Sequence, residues 1–102
     1  MHVKDTLQQV LELREAGQGG EALELCQRLA RSAPRQGGIL HVLGILQFEK
    51  GNPAQAIRHV RKAIKLDPRD AEFHNSLGIF HARLGEHKRA AWLFSQALRR
   101  DP

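Results

Sequence analysis

The sequence has few of the features that would indicate a disulfide, a secretory signal or a membrane span. It contains a single cysteine, Cys26, so no disulfide can form within the chain, and a reducing compartment is expected. No apolar run approaches the roughly 20 residues that a membrane-spanning helix needs. The amphipathic start of the chain carries acidic residues and lacks the basic and apolar segments of a secretory signal. We therefore expect a cytoplasmic protein that makes no membrane contact.

Motifs that carry chemistry are also missing. The sequence has no glycine-rich phosphate loop after a strand, no pair of cysteines and no HExxH zinc motif. These absences leave enzymatic chemistry without a candidate residue. We expect a protein that is not an enzyme, with no catalytic residue, no metal site and no cofactor.

What the sequence does contain is a pattern that returns every 34 residues. When the stretch 37–70 is moved by 34 residues in either direction, Gly51, Ala56 and Pro68 fall on residues of the same type, and in the forward direction Gly44 and Ala63 do so as well. Glycine inside a helix costs about 1 kcal/mol relative to alanine. We therefore expect a second helix to pack closely against Gly44 and Gly78, since this contact would offset the cost. The other recurring residues are Gly17, Gly51 and Gly85; Ala22, Ala56 and Ala90; and Pro34, Pro68 and Pro102.

Apolar residues at helical spacing predict six helices, which pair into three helix–turn–helix units. Gly17, Gly51 and Gly85 should end the first helix of each pair in a left-handed cap, and a proline should stop each second helix. Asn52 and Asp70 are expected to cap the helices that follow them. The predicted helices cover about 3–16, 20–32, 38–50, 53–66, 71–84 and 86–100.

The chain resembles a tetratricopeptide repeat (TPR) array over its whole length, and the resemblance is carried by the pattern Leu77-Gly78, Gly85, Ala90, Phe94, Ala97, Pro102. A period of 34 residues is typical of this repeat. The resemblance implies an all-α fold, in which six antiparallel helices form a right-handed superhelical array of three repeats. We expect a single domain over 1–102 without a capping helix. The repeats would cover about 3–36, 37–70 and 71–102.

Cysteine and histidine positions fit the core of such an array better than a reactive site. Cys26 shares its register with Val60 and Phe94, which are both expected in the core, so a buried small side chain is favoured over a nucleophile. His74 and His81 fill positions that normally carry aromatic core residues. Packed histidines with one hydrogen-bonded nitrogen are therefore favoured over a metal site.

The resemblance also implies an interaction scaffold that binds an extended peptide or a helix along its concave face. The first helices of the repeats would line this groove, and their apolar residues predict a partner that is apolar in part. The stretch 40–64 is similar to the N-terminal repeats of bacterial glycosyltransferases or sulfotransferases. A recognition or oligomerisation module of such an enzyme is therefore an alternative. The predicted groove residues are Leu7, Leu11, Arg14, His41, Ile45, Phe48, Glu49, Asn75, Ile79 and Arg83.

Self-association and nucleic-acid binding are further hypotheses. Without a capping helix, Trp92 and Leu98 of the last helix would stay exposed, and chains could associate through their terminal repeats, as a symmetric pair or with the acidic first repeat of a neighbour. The net charge of +5 and a ridge of basic residues on the convex face suggest nucleic acid. Tyrosine is absent and aromatic residues are scarce, which favours a solvated face instead. The ridge comprises Arg28, Arg31, Arg35, Arg58, Arg61, Lys62, Lys65 and Arg69.

Overall fold

The computed structural model describes residues 2–101, and within them every regular element is an α-helix. The helix ends lie within one residue of the predicted positions, and the all-α array of three helix pairs is confirmed. None of these helices is long and apolar enough to cross a membrane. The helices are α1 (Val3–Glu15), α2 (Gly19–Ser32), α3 (Gly37–Glu49), α4 (Pro53–Leu66), α5 (Ala71–Arg83) and α6 (His87–Arg100).

A glycine turn joins the two helices of each pair. Gly17, Gly51 and Gly85 have φ angles of 80°, 89° and 82°, which lie in the left-handed region that favours glycine. In the second pair the backbone N–H of Asn52 donates to the carbonyl of Gln47 at 2.9 Å. This hydrogen bond reaches back over the last turn of α3, as in a Schellman motif. The predicted glycine caps are confirmed.

Side-chain capping follows the prediction at one of its two positions. The carboxylate of Asp70 accepts a hydrogen bond from the backbone N–H of Glu72 at 2.9 Å, as expected. The predicted cap at Asn52 is wrong, because its side chain makes no capping hydrogen bond. The glycine turn holds Asn52 at φ −114° and ψ 67°, outside the extended conformation that Asp70 adopts at φ −75° and ψ 110°.

Close packing within the pairs explains the two mid-helix glycines. A Cβ atom at Gly44 would lie 2.6 Å from Cγ2 of Val60 and 3.0 Å from the carbonyl oxygen of Ala56. A Cβ atom at Gly78 would lie 2.6 Å from Cε1 of Phe94. All three distances are shorter than ordinary van der Waals contact, so the expected close approach of the second helix is confirmed at both glycines.

One contiguous core runs through the array, from Val10 in α1 to Leu93 in α6. Cys26 and Val60 are fully buried in it, as expected. Phe94 was expected there too, but it is only half-buried. The reason is that α3 covers α2 and α5 covers α4, whereas within residues 2–101 no further helix covers α6.

Candidate peptide-binding groove

The first helices of the three pairs lie side by side, and polar side chains connect them. Arg14 of α1 forms an ion pair with Glu49 of α3, and Nε2 of His41 in α3 is hydrogen-bonded to Oγ of Ser76 in α5 at 2.6 Å. These contacts tie repeat one to repeat two and repeat two to repeat three. We call the surface formed by α1, α3 and α5 the groove.

A cavity of about 180 Å³ lies in this groove, and it brings together six of the ten predicted site residues. Its apolar wall includes Ile45, Phe48 and Ile79, and Ile79 is 38% exposed. Charged side chains stand beside this wall, so the cavity combines apolar surface with ionic groups. The predicted residues in the lining are Arg14, Ile45, Phe48, Glu49, Ile79 and Arg83.

The prediction missed Ser76 and Phe80, which also line the cavity. The ring of Phe80 stacks on Phe48 with centroids 4.4 Å apart and an interplanar angle of 5°. By register Phe80 is equivalent to Leu46, which is fully buried, so register alone assigns it to the core. Phe80 belongs to both surfaces because its ring is buried in the core and also touches Phe48 in the groove.

Four of the predicted site residues lie outside the cavity. Leu7 and Leu11 are half-buried and pack against the core. His41 packs against the ring of Phe73, with centroids 5.0 Å apart, and burial lowers its pKa. Asn75 is exposed and lines a different concavity next to α6. The ten residues therefore do not form one continuous cavity.

The ion pair between Arg14 and Glu49 forms one edge of the cavity. Nε of Arg14 lies 2.9 Å from Oε1 of Glu49, and Nη2 lies 2.6 Å from Oε2, so the guanidinium and the carboxylate meet in bidentate geometry. The hydrogen bond to Glu49 raises the pKa of Arg14. Both side chains are partly exposed, and such pairs contribute about 1 kcal/mol or less to stability. Within residues 2–101, Arg83 on the same cavity has no ion-pair partner.

The buried histidines are packed as predicted. Nδ1 of His74 donates to the carbonyl of Asp70 at 3.1 Å, and Nδ1 of His81 donates to Glu86 at 3.0 Å. Both rings lie in the core, at 5% and 2% exposure. In the part of the chain that the structure describes, no group of three or more His, Cys, Asp or Glu side chains is placed to hold a metal ion.

Basic residues surround a second concavity, which lies between α2 and α4. It has a volume of about 590 Å³, and Arg31, Arg58 and Lys62 are part of its lining. His59 lies in the same concavity, where its Nδ1 donates to Oε1 of Gln47 at 2.7 Å. Burial lowers the pKa of His59, and the nearby charges of Arg58 and Lys62 lower it further. This surface includes part of the predicted basic ridge.

Comparison with known proteins agrees with the repeat geometry. The profile of the tetratricopeptide repeat matches residues 41–102, which is more than half of the sequence. The chain belongs to the tetratricopeptide repeat family. Its match to the NatB auxiliary subunit N-alpha-acetyltransferase 25 of Homo sapiens is 32% identical over 77 residues, and covers 76% of this chain but 8% of that protein. The chain thus spans less than a tenth of the length of that relative.

Bacterial proteins contain segments that are similar to this chain. The probable biofilm formation methyltransferase WspC of Pseudomonas putida is 31% identical over 90 residues, which is 88% of this chain and 21% of that protein. Among solved structures, an O-GlcNAc transferase from Thermobaculum terrenum has a TM-score of 0.91 and 31% identity, over 98% of this chain and 19% of that one. This match supports the predicted similarity to TPR segments of bacterial glycosyltransferases.

The fold also recurs in MamA of Desulfovibrio magneticus RS-1. Its structure has a TM-score of 0.88 and 24% identity, and the match covers 98% of this chain and 56% of that one. At this level of identity the match shows the fold alone.

Proposed function

We propose that this TPR chain is a non-catalytic scaffold that binds a partly apolar peptide or protein segment in its groove. The observation that carries the proposal is the cavity in which Ile45, Phe48 and Ile79 meet the charged side chains of neighbouring repeats. Apolar groups that converge with a few polar ones are typical of binding sites. The single buried thiol at Cys26 fits a cytoplasmic location for this function.

The charges around the cavity suggest which segment it accepts. Arg14 is already paired with Glu49, whereas Arg83 has no ion-pair partner within the described chain. A bound carboxylate could pair with Arg83 while a neighbouring apolar side chain contacts Ile79 and Phe48. We therefore infer that the segment carries a large apolar residue close to an acidic one.

A library of random peptides displayed on phage tests this function. Peptides selected on the immobilised chain should lose most of their binding to Ile79→Asp, because this partly exposed side chain contributes to the apolar wall of the cavity. The selected peptides should also be enriched in acidic residues. Because such a residue pairs with Arg83, these peptides should bind Arg83→Glu more weakly than the unmodified chain. The matched control is Leu98→Asp, which puts the same charge on an exposed apolar position outside the groove.

Circular dichroism should give the same helical content for both aspartate variants. Selected peptides that bind Ile79→Asp as tightly as the unmodified chain would move the binding site away from the groove. Peptides that lose binding only to Leu98→Asp would assign it to α6.

A second candidate is a recognition or oligomerisation module within a larger bacterial glycosyltransferase or sulfotransferase. The similarity to the Thermobaculum terrenum O-GlcNAc transferase favours it, since almost the whole chain matches a fifth of that enzyme. Under this candidate, the reading frame that encodes the chain also encodes a transferase domain. Sequencing the gene beyond both ends of the chain tests this candidate directly.

Self-association through the C-terminal repeat is a third candidate. Trp92 and Leu98 are 60% and 64% exposed, and exposed aromatic residues of this kind often anchor interfaces. A dimer formed this way should dissociate when Trp92 is replaced by glutamate. Sedimentation across a concentration series measures this directly, and a monomer at every concentration would contradict this candidate.

Nucleic-acid binding through the basic ridge has weaker support. The concavity lined by Arg31, Arg58 and Lys62 offers positive charge, and its lining contains no phenylalanine, tyrosine or tryptophan on which a base could stack. Phosphate contacts predict a steep loss of affinity with added salt. Titration of single-stranded RNA at two salt concentrations distinguishes such a site from a solvated face.

A further inference from the structure

Helix α4 carries basic residues and no acidic one. Residues three or four apart are neighbours on a helix surface, so each of these cations lies next to others of the same charge, as Arg58 does to Lys62, and like charges at this spacing destabilise a helix. Within residues 2–101 none of the α4 cations forms an ion pair. The basic residues of α4 are Arg58, Arg61, Lys62 and Lys65, and all of them are exposed.

The repeat itself does not require these charges. In the first repeat the positions of Arg58 and Lys62 hold Glu24 and Arg28, whose opposite charges at i and i+4 favour the helix. In the third repeat both positions are uncharged. The basic side of α4 is therefore particular to the second repeat, and the packing that the repeats share does not account for it.

Two adjacent concavities open between the cations. The first is the concavity of about 590 Å³ between α2 and α4, and the second, of about 490 Å³, lies along α4. Arg58 and Lys62 line both of them. Neither lining contains an acidic residue, whereas the cavity in the groove includes Glu49. We call the two concavities together the basic surface, and its cations are Arg31, Arg58, Arg61, Lys62 and Lys65.

Apolar side chains form the floor of the basic surface. Leu40 and Leu43 of α3 line the first concavity, and Ile57 lines the second. Both leucines are only 4% exposed, so a single side chain can reach this recessed floor but a flat lipid surface cannot. Neither lining contains a phenylalanine, tyrosine or tryptophan on which nucleobases could stack. Charge and recessed apolar surface together therefore favour a polypeptide over nucleic acid or lipid.

His59 adds a group to the first concavity that responds to a bound anion. Its Nδ1 carries the ring proton, because Nδ1 contacts two acceptors, Oε1 of Gln47 and the carbonyl oxygen of Gln55 at 3.1 Å. Protonation of Nε2 would add a positive charge beside Arg58 and Lys62. Bound carboxylates would offset the charges of these two residues, so the pKa of His59 should report whether the basic surface is occupied.

A second copy of this chain does not offer a matching segment. The acidic residues of its first repeat lie on folded helices, and the apolar residues of α1 and α2 are all buried or half-buried. Such a surface could meet the cations but could not place an apolar side chain in either concavity. The occupant has to present carboxylates and apolar side chains together.

We propose that the basic surface binds an acidic segment of a partner protein, in which large apolar residues alternate with glutamates or aspartates. The carboxylates pair with Arg58, Lys62 and the neighbouring cations, and the apolar side chains enter the two concavities. The basic surface lies on α2 and α4, with its floor formed in part by α3, whereas the groove is formed by α1, α3 and α5. This site is thus independent of the function proposed for the groove.

A short acetylated peptide in which leucine alternates with pairs of glutamates is the probe for this site. Titrated into the ¹⁵N-labelled chain at about 0.1 M salt, it should shift amide signals around the basic surface. Replacing its leucines with serine should weaken binding about threefold to tenfold, because the concavities then stay empty. Replacing its glutamates with glutamine should abolish binding, because the cations lose their partners.

Charge reversal in the protein tests the location. The double variant Arg58→Glu with Lys62→Glu should bind the glutamate–leucine peptide at least about tenfold more weakly. The matched control is Lys88→Glu with Arg89→Glu, which makes the same change in net charge at exposed positions outside both concavities. This control and the groove variant Ile79→Asp should each keep at least about half of the affinity. Circular dichroism should give the same helical content for all three variants.

The histidine provides a readout that a loose cloud of charge would not produce. In the chain saturated with peptide, NMR should show a higher pKa for His59 than in the free chain. Affinity should therefore rise about twofold to fivefold as the pH falls from about 7.5 to about 5.5, where the glutamates remain mostly ionised. His59 faces Arg31 of α2, Gln47 of α3 and the two α4 cations, and no acidic residue lines its concavity. His59→Gln should remove most of this pH dependence.

Several results would overturn the proposal. They are an absence of shifts at about 1 mM peptide, equal affinity of the leucine and serine peptides, normal binding to the Arg58→Glu and Lys62→Glu variant, and an unchanged pKa of His59. Tighter binding of single-stranded RNA or of phosphatidylserine vesicles at the same salt would assign the surface to nucleic acid or lipid instead. Signals of the basic surface that move on dilution without peptide would identify a second copy as the occupant.

Discussion

Cys26 shows at the scale of one residue how packing controls reactivity. Its side chain is fully buried, and Sγ lies 3.8 Å from the carbonyl oxygen of Ile39. Burial raises the pKa of the thiol from 9.0 to about 12, because the thiolate would lose its hydration. The thiol is therefore a core side chain and not a nucleophile in the folded protein.

We predict that iodoacetamide does not label Cys26 in the folded chain at about pH 8, because a rise of three pKa units lowers the thiolate fraction about a thousandfold. In denaturing urea the thiol should react at the rate of a free cysteine. Mass spectrometry of labelling against time measures both rates, and the single cysteine makes the result unambiguous. Equal rates in the two states would show that Cys26 is accessible.

At the scale of the helices, stability depends on how closely the two helices of each pair pack against each other. Gly44 faces Val60, which is fully buried, and a backbone carbonyl of α4. Gly78 faces the half-buried ring of Phe94, which has room to turn aside. Replacing glycine by alanine should therefore lower the free energy of unfolding by different amounts in the second and third repeats.

We predict that Gly44→Ala lowers the free energy of unfolding by about 1–3 kcal/mol, although alanine favours the helix by about 1 kcal/mol. Gly78→Ala should cost less, because Phe94 can move. Urea unfolding of both variants measures the difference. If Gly78→Ala is the more destabilising variant, the ring of Phe94 is held more firmly than its exposure indicates.

The helices could be predicted from sequence because the repeat fixes them several times over. Glycine turns and apolar spacing recur in each unit, so every helix end is supported by its equivalents. The predicted side-chain cap at Asn52 was wrong, because a capping hydrogen bond depends on the ψ angle of the capping residue. The preceding glycine turn determines that angle at Asn52. The prediction that Phe94 is buried was wrong, because its position in the repeat is buried only when a further helix packs on it. Within residues 2–101 no further helix packs on α6.

The groove was predicted in part for a similar reason. Register identified Ile45, Phe48 and Ile79, because they lie on the exposed side of the first helices. It missed Phe80, whose ring is buried and yet reaches the cavity by stacking on Phe48. Side-chain rotamers decide such contacts, and a repeat pattern carries no information about rotamers.

Stability at the scale of the whole molecule should depend on pH through two histidines. Burial lowers the pKa of His41, against the opposing charges of Glu72 and Asp70, and it also lowers the pKa of His59. In the unfolded chain both side chains take up a proton near pH 6.5, their ordinary pKa, and in the folded chain they do so only at lower pH. Stability is therefore full above pH 6.5 and decreases as the pH falls below it.

We predict a lower free energy of unfolding at about pH 5 than at about pH 7.5, with each extra proton contributing a slope of up to about 1.4 kcal/mol per pH unit. His41→Gln should reduce this slope, because it removes one of the two groups. Urea unfolding at several pH values measures it. An unchanged slope in His41→Gln would mean that other groups carry the dependence.

The outer side of α1 carries the exposed polar residues Asp5, Gln9 and Glu12, whereas the outer side of α6 carries the exposed Leu98, and this difference has a consequence for synthesis. A chain leaves the ribosome with its N-terminus first, so α1 and α2 can pair before later helices exist. Each new helix pair then covers the apolar side of the pair before it. At every stage the aggregation-prone surface lies at the most recently made end, next to the ribosome, while the polar side of α1 faces the solvent.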